Sequence, residues 1–199
     1  KKILIITLAV VLLFFFFIVA KSIGAYNSII AGEENVRTAW AQVENTYQRR
    51  YDLIPNLVAT VQAEADFEKS TLTEIIDARS RLGGTVKVDE NLLGDEAAMK
   101  RFQESQATLG SALQRLMMVT ENYPNLKSNQ SFQDLRVQLE GAENRIAVER
   151  KRYNETVRDF NTYIRQFPNN LIAGFAGATA KVPFAADANA ATAPKVEFK

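Results

Sequence analysis

Residues 131–168 read SFQDLRVQLEGAENRIAVERKRYNETVRDFNTYIRQFP, and this stretch decides the fold. Its apolar side chains recur at spacings of three, four and seven residues, the pattern of one buried helical face. They are Phe132, Leu135, Leu139, Ala142, Ile146, Tyr153, Phe160, Tyr163 and Phe167. The spacing predicts a long helix over residues 131–167, which Pro168 ends.

Three further helical patterns precede this helix, with clusters of Gly, Pro and Asn between them. Apolar spacings of three and four residues predict helices over residues 23–51, 54–82 and 96–123. Asp52 followed by Pro55 resembles a helix start, because Asp caps helix N-termini and proline is tolerated in the first turn. The glycines at 83 and 84 end the second predicted helix and begin a loop.

An apolar run from Ile3 to Ala20, interrupted only by Thr7, lies at the N-terminus with lysines on both sides. At ~1.5 Å per residue it is roughly 27 Å long, close to the hydrocarbon thickness of a bilayer. We predict a transmembrane anchor over residues 1–22. The alternative is a cleaved signal peptide, whose apolar region is normally shorter. Two lysines before the run and one after it predict a cytoplasmic N-terminus.

Long helices with short connections pack most simply as antiparallel neighbours. The sequence therefore predicts an all-α protein, in which the anchor continues into an antiparallel up-down-up-down four-helix bundle over residues 23–168. In this arrangement the turns around Asp52 and Asn125 lie at the tip far from the membrane. The loop at Gly83 and an irregular tail, residues 169–199, return towards the lipid.

The composition excludes several classes of chemistry. The chain has no His and no Cys, so it lacks the ligands and nucleophile pairs of common zinc, haem and catalytic sites. Its 24 Lys and Arg balance 23 Asp and Glu, which gives no field to attract nucleic acid. We expect no catalytic residue, metal or cofactor. The open alternative is a carboxylate metal site with Glu68 and Glu149 near mid-height of the bundle.

The tail carries apolar residues that allow two interpretations. It packs on its own bundle or is partly disordered, or Lys181–Phe184 and Val196–Phe198 extend onto a neighbouring subunit and hold copies together. Leu171, Ile172 and Phe175 form an apolar patch near the membrane. The candidate oligomer-forming and membrane-proximal residues are Leu171, Ile172, Phe175, Phe184, Val196 and Phe198.

Short motifs along nearly the whole chain resemble those of LemA family proteins. The most specific is RRYDLIPNLV, residues 49–58. Others are Ala39-Trp40, Tyr123-Pro124-Asn125-Leu126-Lys127, Leu139-Glu140-Gly141, Glu143-Asn144-Arg145-Ile146, Tyr153-Asn154 and Phe167-Pro168. The resemblance implies a bacterial protein with one N-terminal membrane span and a helical bundle. It carries over no established biochemical activity.

Three classes of function remain, of which a non-enzymatic, self-associating scaffold of the bacterial envelope is favoured. The lysines that flank the apolar run favour a location in the inner (cytoplasmic) membrane with the bundle on the periplasmic side. The protein would then bind the lipid bilayer and copies of itself or an envelope protein. The second class is a signalling adaptor, and the third is a carboxylate-metal hydrolase. The adaptor would bind a partner at the distal tip through Arg49, Arg50, Tyr51, Asp52, Asn56 and Lys127, although a stabilised helix end also explains this group.

Overall fold

The computed structural model describes residues 2–64, 67–82 and 90–185. Within these ranges every regular element is a helix, as the sequence predicts. The elements are α1 (Lys2–Gln62), α2 (Lys69–Arg81), a 3-10 helix (Glu90–Gly94), α3 (Glu96–Thr120), α4 (Pro124–Ser128), α5 (Gln130–Arg165) and α6 (Asn169–Ala176). The predicted loop at Gly83 and Gly84 lies outside the described residues.

Helix α1 contains 61 residues and has two different environments along its length. Large apolar side chains from Ile3 to Val19 are exposed, whereas the first fully buried side chain is that of Ile29. By length and composition α1 can cross a membrane, and the described ranges contain no other helix that can. One continuous helix therefore joins the apolar run to the protein core.

The helix boundary predicted at Asp52 is wrong, because α1 continues past Pro55 without a break. Proline in a helix costs about 3 kcal/mol, since it removes one hydrogen bond and crowds the preceding turn. On either side of Pro55, the side chains of Ile54, Leu57 and Val61 are completely buried. Each such side chain contributes about 1.5–3 kcal/mol, so their combined burial outweighs the cost of the proline.

The face predicted for α5 is buried from Phe132 through Phe160 and then shifts. Val157 and Ile164 are buried in addition to the predicted residues, whereas Tyr163 is partly exposed and Phe167 is 81% exposed. A straight α-helix has 3.6 residues per turn and drifts by ~20° in each heptad. The buried face therefore moves around α5, and Phe167 lies beyond the end of the helix.

Helices α1 and α5 make the most extensive helix contact, and α2 packs against α3. A Cβ atom placed on Gly32 would lie 2.9 Å from Phe160, and Arg50 forms an ion pair with Glu143. These contacts occur in opposite sequence order along the two helices. We call the close contact between Gly32 of α1 and Phe160 of α5 the neck. Of the two contacts, the neck is the one nearer the apolar run.

The described buried residues form two apolar clusters. The proximal core lies nearer the apolar run and joins α1, α5 and α6, with residues such as Ile29, Trp40, Tyr153, Phe160 and Ala173. The distal core joins the end of α1 to α2, α3, α4 and the start of α5, with residues such as Ile54, Leu72, Leu116, Leu126 and Phe132. Helix α2 contributes to the distal core alone.

Local signals set several helix ends. Asp95 accepts two backbone hydrogen bonds at the start of α3, and Asn129 accepts one from the N–H of Phe132 at the start of α5. The predicted tail is not wholly irregular, since α6 occupies its first eight residues. Gly177, in the left-handed conformation with φ of 67°, ends this helix.

Replacing Gly32 by Ala should lower the free energy of unfolding by about 1–3 kcal/mol, because the new Cβ atom overlaps the buried ring of Phe160. The matched control is Gly141→Ala on α5, where a Cβ atom meets nothing within 4 Å. That change should stabilise by about 0.5–1 kcal/mol through helix propensity. Thermal unfolding of the full chain in detergent, followed by circular dichroism, measures both. Equal effects of the two variants would contradict the close α1–α5 packing.

Candidate functional site

A short segment after α6, residues 181–185, packs along α5 and is called the strap. Asn161 forms two hydrogen bonds with the backbone of Lys181: its Oδ1 accepts from the N–H and its Nδ2 donates to the carbonyl, both at 2.8 Å. Asn154 repeats the arrangement with Phe184, at 2.8 Å and 3.1 Å. Each asparagine side-chain amide therefore binds both the backbone N–H and the backbone carbonyl of one strap residue.

The spacing of the two asparagines fits a strap that is close to fully extended. Asn154 and Asn161 are two helical turns apart, or roughly 10.5 Å along α5. Three residues of extended chain, from Lys181 to Phe184, span about 10 Å. Helix and strap are thus in register at both asparagines.

Further strap backbone groups bind α5, the 3-10 helix and α3. The Tyr153 hydroxyl donates to the carbonyl of Val182 at 2.9 Å, and the N–H of Val182 donates to the carbonyl of Leu93 at 2.8 Å. The N–H of Ala185 donates to Gln103 Oε1 at 3.1 Å. Burial raises the pKa of the Tyr153 phenol well above its ordinary value, so this group stays a donor.

The side chain of Phe184 anchors the strap in an aromatic pocket and is only 3% exposed. Its ring stacks on Trp40 with centroids 5.7 Å apart and meets the edge of Tyr153 at 5.4 Å. The guanidinium of Arg150 lies 4.8 Å from the ring centroid. Aromatic pairs of this kind each contribute about 0.5–1.5 kcal/mol beyond the burial of area.

An ion pair joins the strap to α1. The ammonium of Lys181 donates to a carboxylate oxygen of Glu33, and both side chains are largely buried. The same ammonium lies 6.0 Å from the ring centroid of Phe160. The strap therefore contacts α1 and α5 together, next to the neck at Gly32.

A second polar group lies inside the protein at Arg50, which is 3% exposed. Its Nη1 donates to Glu143 Oε1 at 2.6 Å, and its Nη2 donates to Gln106 Oε1. Its guanidinium carbon lies 5.2 Å from the ring centroid of Tyr47. Arg50 thus ties α1 to α3 and α5 from within, which gives it a structural role.

The structure separates the residues predicted to share a distal tip. Arg49, Asp52 and Asn56 are exposed on α1, whereas Tyr51 is buried beneath the guanidinium of Arg79 at 4.1 Å. Asp52 lies ten residues before the end of α1, or roughly 15 Å along its axis. The predicted location of this group at a turn is therefore wrong.

Lys127 does lie at the distal end, on α4. The ring of Tyr123, just before α4, is 4.9 Å from that of Phe67 in the segment after α1. The Lys127 ammonium pairs with Glu121, and this hydrogen bond together with the positive charge lowers the pKa of the Glu121 carboxyl. Partner binding by the exposed members of the predicted group stays a prediction.

The two carboxylates of the predicted metal site are far apart. Glu149 pairs with Arg152 at 3.0 Å on α5, whereas Glu68 precedes α2 beyond the end of α1. The contacts between α1 and α5 put Glu149 near Gln42, about 20 residues before the end of α1, so the separation along the axis is roughly 30 Å. No group of three or more His, Cys, Asp or Glu residues suited to a metal ion occurs in the described part of the chain.

The predicted membrane-proximal residues lie together on and beside α6. Leu171 is 55% and Phe175 is 92% exposed, while Ile172 packs against the proximal core. A groove of about 950 Å³ separates this region from the end of the apolar run on α1. Phe184 lies apart from them in its aromatic pocket, and Val196 and Phe198 lie outside the described residues.

The sequence patterns did not predict that Asn154 and Asn161 bind the strap. An available signal was their spacing of seven residues, which puts two amides on one side of α5. The patterns also missed Gln106, the buried partner of Arg50. The partners of these side chains come from distant parts of the chain, so periodicity within one helix does not identify them.

Replacing Glu143 by Ala should destabilise the fold by about 2 kcal/mol, because it removes a charged hydrogen bond from the buried Arg50. Glu140→Ala, three residues earlier on α5, is the control. Its partner is Arg136, and since both side chains of that pair are about half exposed, we expect a loss of about 0.5 kcal/mol or less. Urea unfolding in detergent compares the two. A loss no larger at Glu143 than at Glu140 would argue against the structural role of Arg50.

Comparison with known proteins gives consistent similarities. The family model described as the LemA family matches residues 39–198. Magnetosome protein MamQ 2 of Paramagnetospirillum magneticum is 29% identical over 171 residues, which cover 76% of this chain and 61% of that protein. Magnetosome protein MamQ of Magnetospirillum gryphiswaldense is 28% identical over 167 residues, with the same coverage. Protein LemA of Metamycoplasma hominis is 22% identical over 151 residues, covering 76% and 64%.

Proposed function

Because the chain belongs to the LemA family, we propose that it is a membrane-anchored scaffold of the bacterial envelope without catalytic activity of its own. The names of its relatives describe a magnetosome protein and a LemA protein, and neither name denotes a reaction. The chain spans 61% of the length of the MamQ proteins it matches, so the role of those whole proteins reaches this chain only as a proposal.

The observation that carries the proposal is the continuity of α1. Its first part exposes an apolar surface interrupted only by Thr7, and the same helix then supplies buried side chains to both cores. An exposed apolar helix of this length is stable in lipid rather than in water. Residues 1–22 would therefore be the anchor and residues 23–168 the bundle, followed by the tail.

The proposal includes an up-down-up-down arrangement of α1, α2, α3 and α5. It is supported by the opposite order of the contacts between α1 and α5 and by the packing of α2 on α3. The short segments between consecutive helices, such as residues 63–68, favour antiparallel neighbours. A rod of this kind on a membrane presents side surfaces to other copies of itself.

Self-association through the strap is the most specific part of the proposal. The strap binds through groups that recognise any extended backbone, and one aromatic side chain inserts into a pocket. The strap of a second copy would make the same contacts, as in exchange of identical elements between protomers. Two copies anchored in one membrane have a high effective concentration for such an exchange.

An adaptor that binds an envelope protein at the distal end is the second candidate. It is favoured by the exposed side chain of Met118, which is 67% exposed and lies one turn before the Glu121–Lys127 pair. An apolar side chain next to an ion pair is a common element of protein interfaces. This candidate requires a non-self protein in fixed stoichiometry.

Two differently tagged copies of the full chain, expressed together and extracted with mild detergent, should purify with each other. Combining Asn154→Ala with Asn161→Ala should reduce this association, because four of the hydrogen bonds that hold the strap are lost. Asn45→Ala, at an exposed position of α1, is the matched control and should leave association unchanged.

Three outcomes distinguish the proposals. If the unchanged copies do not purify together, self-association is wrong. If they do so but the paired asparagine changes have no effect, copies associate through another surface. If each copy instead purifies with a different protein in constant ratio, the adaptor is correct.

We propose that the bundle lies on the periplasmic side, on the basis of the lysines that precede the apolar run. The chain contains no cysteine, so single-cysteine variants report the side directly. In spheroplasts, a membrane-impermeant maleimide should label Met118→Cys before lysis. Labelling of this variant only after lysis would put the bundle in the cytoplasm.

A further inference from the structure

Helix α6 buries one face and leaves the other exposed in the part of the chain that the structure describes. Ala173 is buried in the proximal core, and Ile172 packs beside it. Phe167, Leu171 and Phe175, spaced by four residues, are 81%, 55% and 92% exposed. A spacing of four puts Leu171 and Phe175 on the same side of α6, with Phe167 just before its start.

The chain around α6 carries no charge. Residues 166–180 include no Asp, Glu, Lys or Arg, although these residues make up 24% of the chain. Arg165 lies at one end of this stretch and Lys181 at the other. Charged groups usually keep exposed segments soluble, so an uncharged segment with exposed aromatic rings is suited to a less polar surrounding than water.

The position of α6 along α1 identifies that surrounding. The groove beside α6 is lined on α1 by residues between Phe17 and Ser28, and on the other side by residues between Phe167 and Ile172. A hydrocarbon layer of about 30 Å corresponds to roughly 20 residues of helix, which extend from Ile3 to about Ile23. Helix α6 therefore lies beside α1 at the level where a bilayer containing the apolar run would end.

The groove itself has the character of a lipid contact. Its lining includes Phe17, Ile18, Leu171 and Ile172, with Lys21 among the polar residues that also line it. The Lys21 ammonium lies 5.6 Å from the ring centroid of Phe17, as expected of a lysine whose stem follows an apolar surface. Acyl chains would cover the apolar walls, and the ammonium would face the headgroups.

We propose that the exposed face of α6, with Phe167, Leu171 and Phe175, lies in the interface of the bilayer as a second membrane contact beside the anchor. The inference rests on the proposed anchoring of α1 and adds a partner for a surface that the anchor does not use. A single helical span leaves the tilt of the attached domain free. A contact at α6 holds the base of the bundle against the lipid on one side.

Depth-dependent fluorescence quenching tests this contact in the full chain. Phe175→Cys, labelled with an environment-sensitive nitrobenzoxadiazole probe, is reconstituted in vesicles of phosphatidylcholine and phosphatidylglycerol. We expect blue-shifted emission and a loss of fluorescence with spin-labelled lipid, greater when the spin label lies near the headgroup than at the chain end. Val137→Cys, on an exposed position of α5 far from the apolar run, is the control and should show neither effect.

A probe within the apolar run separates this inference from the anchoring on which it rests. Leu12→Cys should be quenched most by the spin label at the chain end. If Leu12 is quenched in this way and Phe175 is not, the contact at α6 is wrong while the anchor stands. If the probe at Phe175 is blue-shifted but no lipid spin label quenches it, a protein surface covers α6 and the inference is overturned. If Leu12 is not quenched, anchoring fails and the inference fails with it.

Discussion

The packing of α1 against α5 is the contact on which the rest of the structure depends. Helix α1 contributes to both cores, and α5 faces it over much of the same length. At one end the contact narrows to the neck, where the absence of a side chain on Gly32 admits the ring of Phe160. Further along, Arg50 and Glu143 join the two helices and bring in α3 through Gln106. Every other element packs onto this pair or onto an element that does.

The short length of α2 explains why the chain needs a strap and α6. With 13 residues α2 is roughly 20 Å long, whereas the 36 residues of α5 span roughly 54 Å. Among the described residues, α2 therefore covers only the distal part of the α1–α5 pair. Phe184 and Ala173 enter the proximal core there, and Leu92 and Leu93 of the 3-10 helix add to it. The segment after α5 thus adds to the proximal core and also reaches the part of α1 beside the apolar run.

Local sequence patterns predicted a helix well where residues within that helix or next to it set its boundaries. The apolar run, the start of α3 at Glu96 and most of the buried face of α5 follow from composition, capping and periodicity. Asp52 and Pro55 were misleading because they carry the local signals of a helix start. The helix continues because Ile54, Leu57 and Val61 are buried against other elements. The few residues around Pro55 carry no information about these distant partners.

For a related reason, the sequence patterns did not predict the strap contacts. These contacts also bear on whether copies of the chain can exchange straps. Asn154 and Asn161 bind backbone groups, so no particular side chain in the strap would reveal them beforehand. The specific side-chain contacts of the strap come from Phe184 and Lys181. Such contacts are the same whether the strap comes from the same copy or from a neighbour. The balance between the two depends on the link through Gly177 and on the local concentration of other copies. In the proposed self-association, anchoring in one membrane would raise that concentration and favour exchange without any change in the contacts themselves.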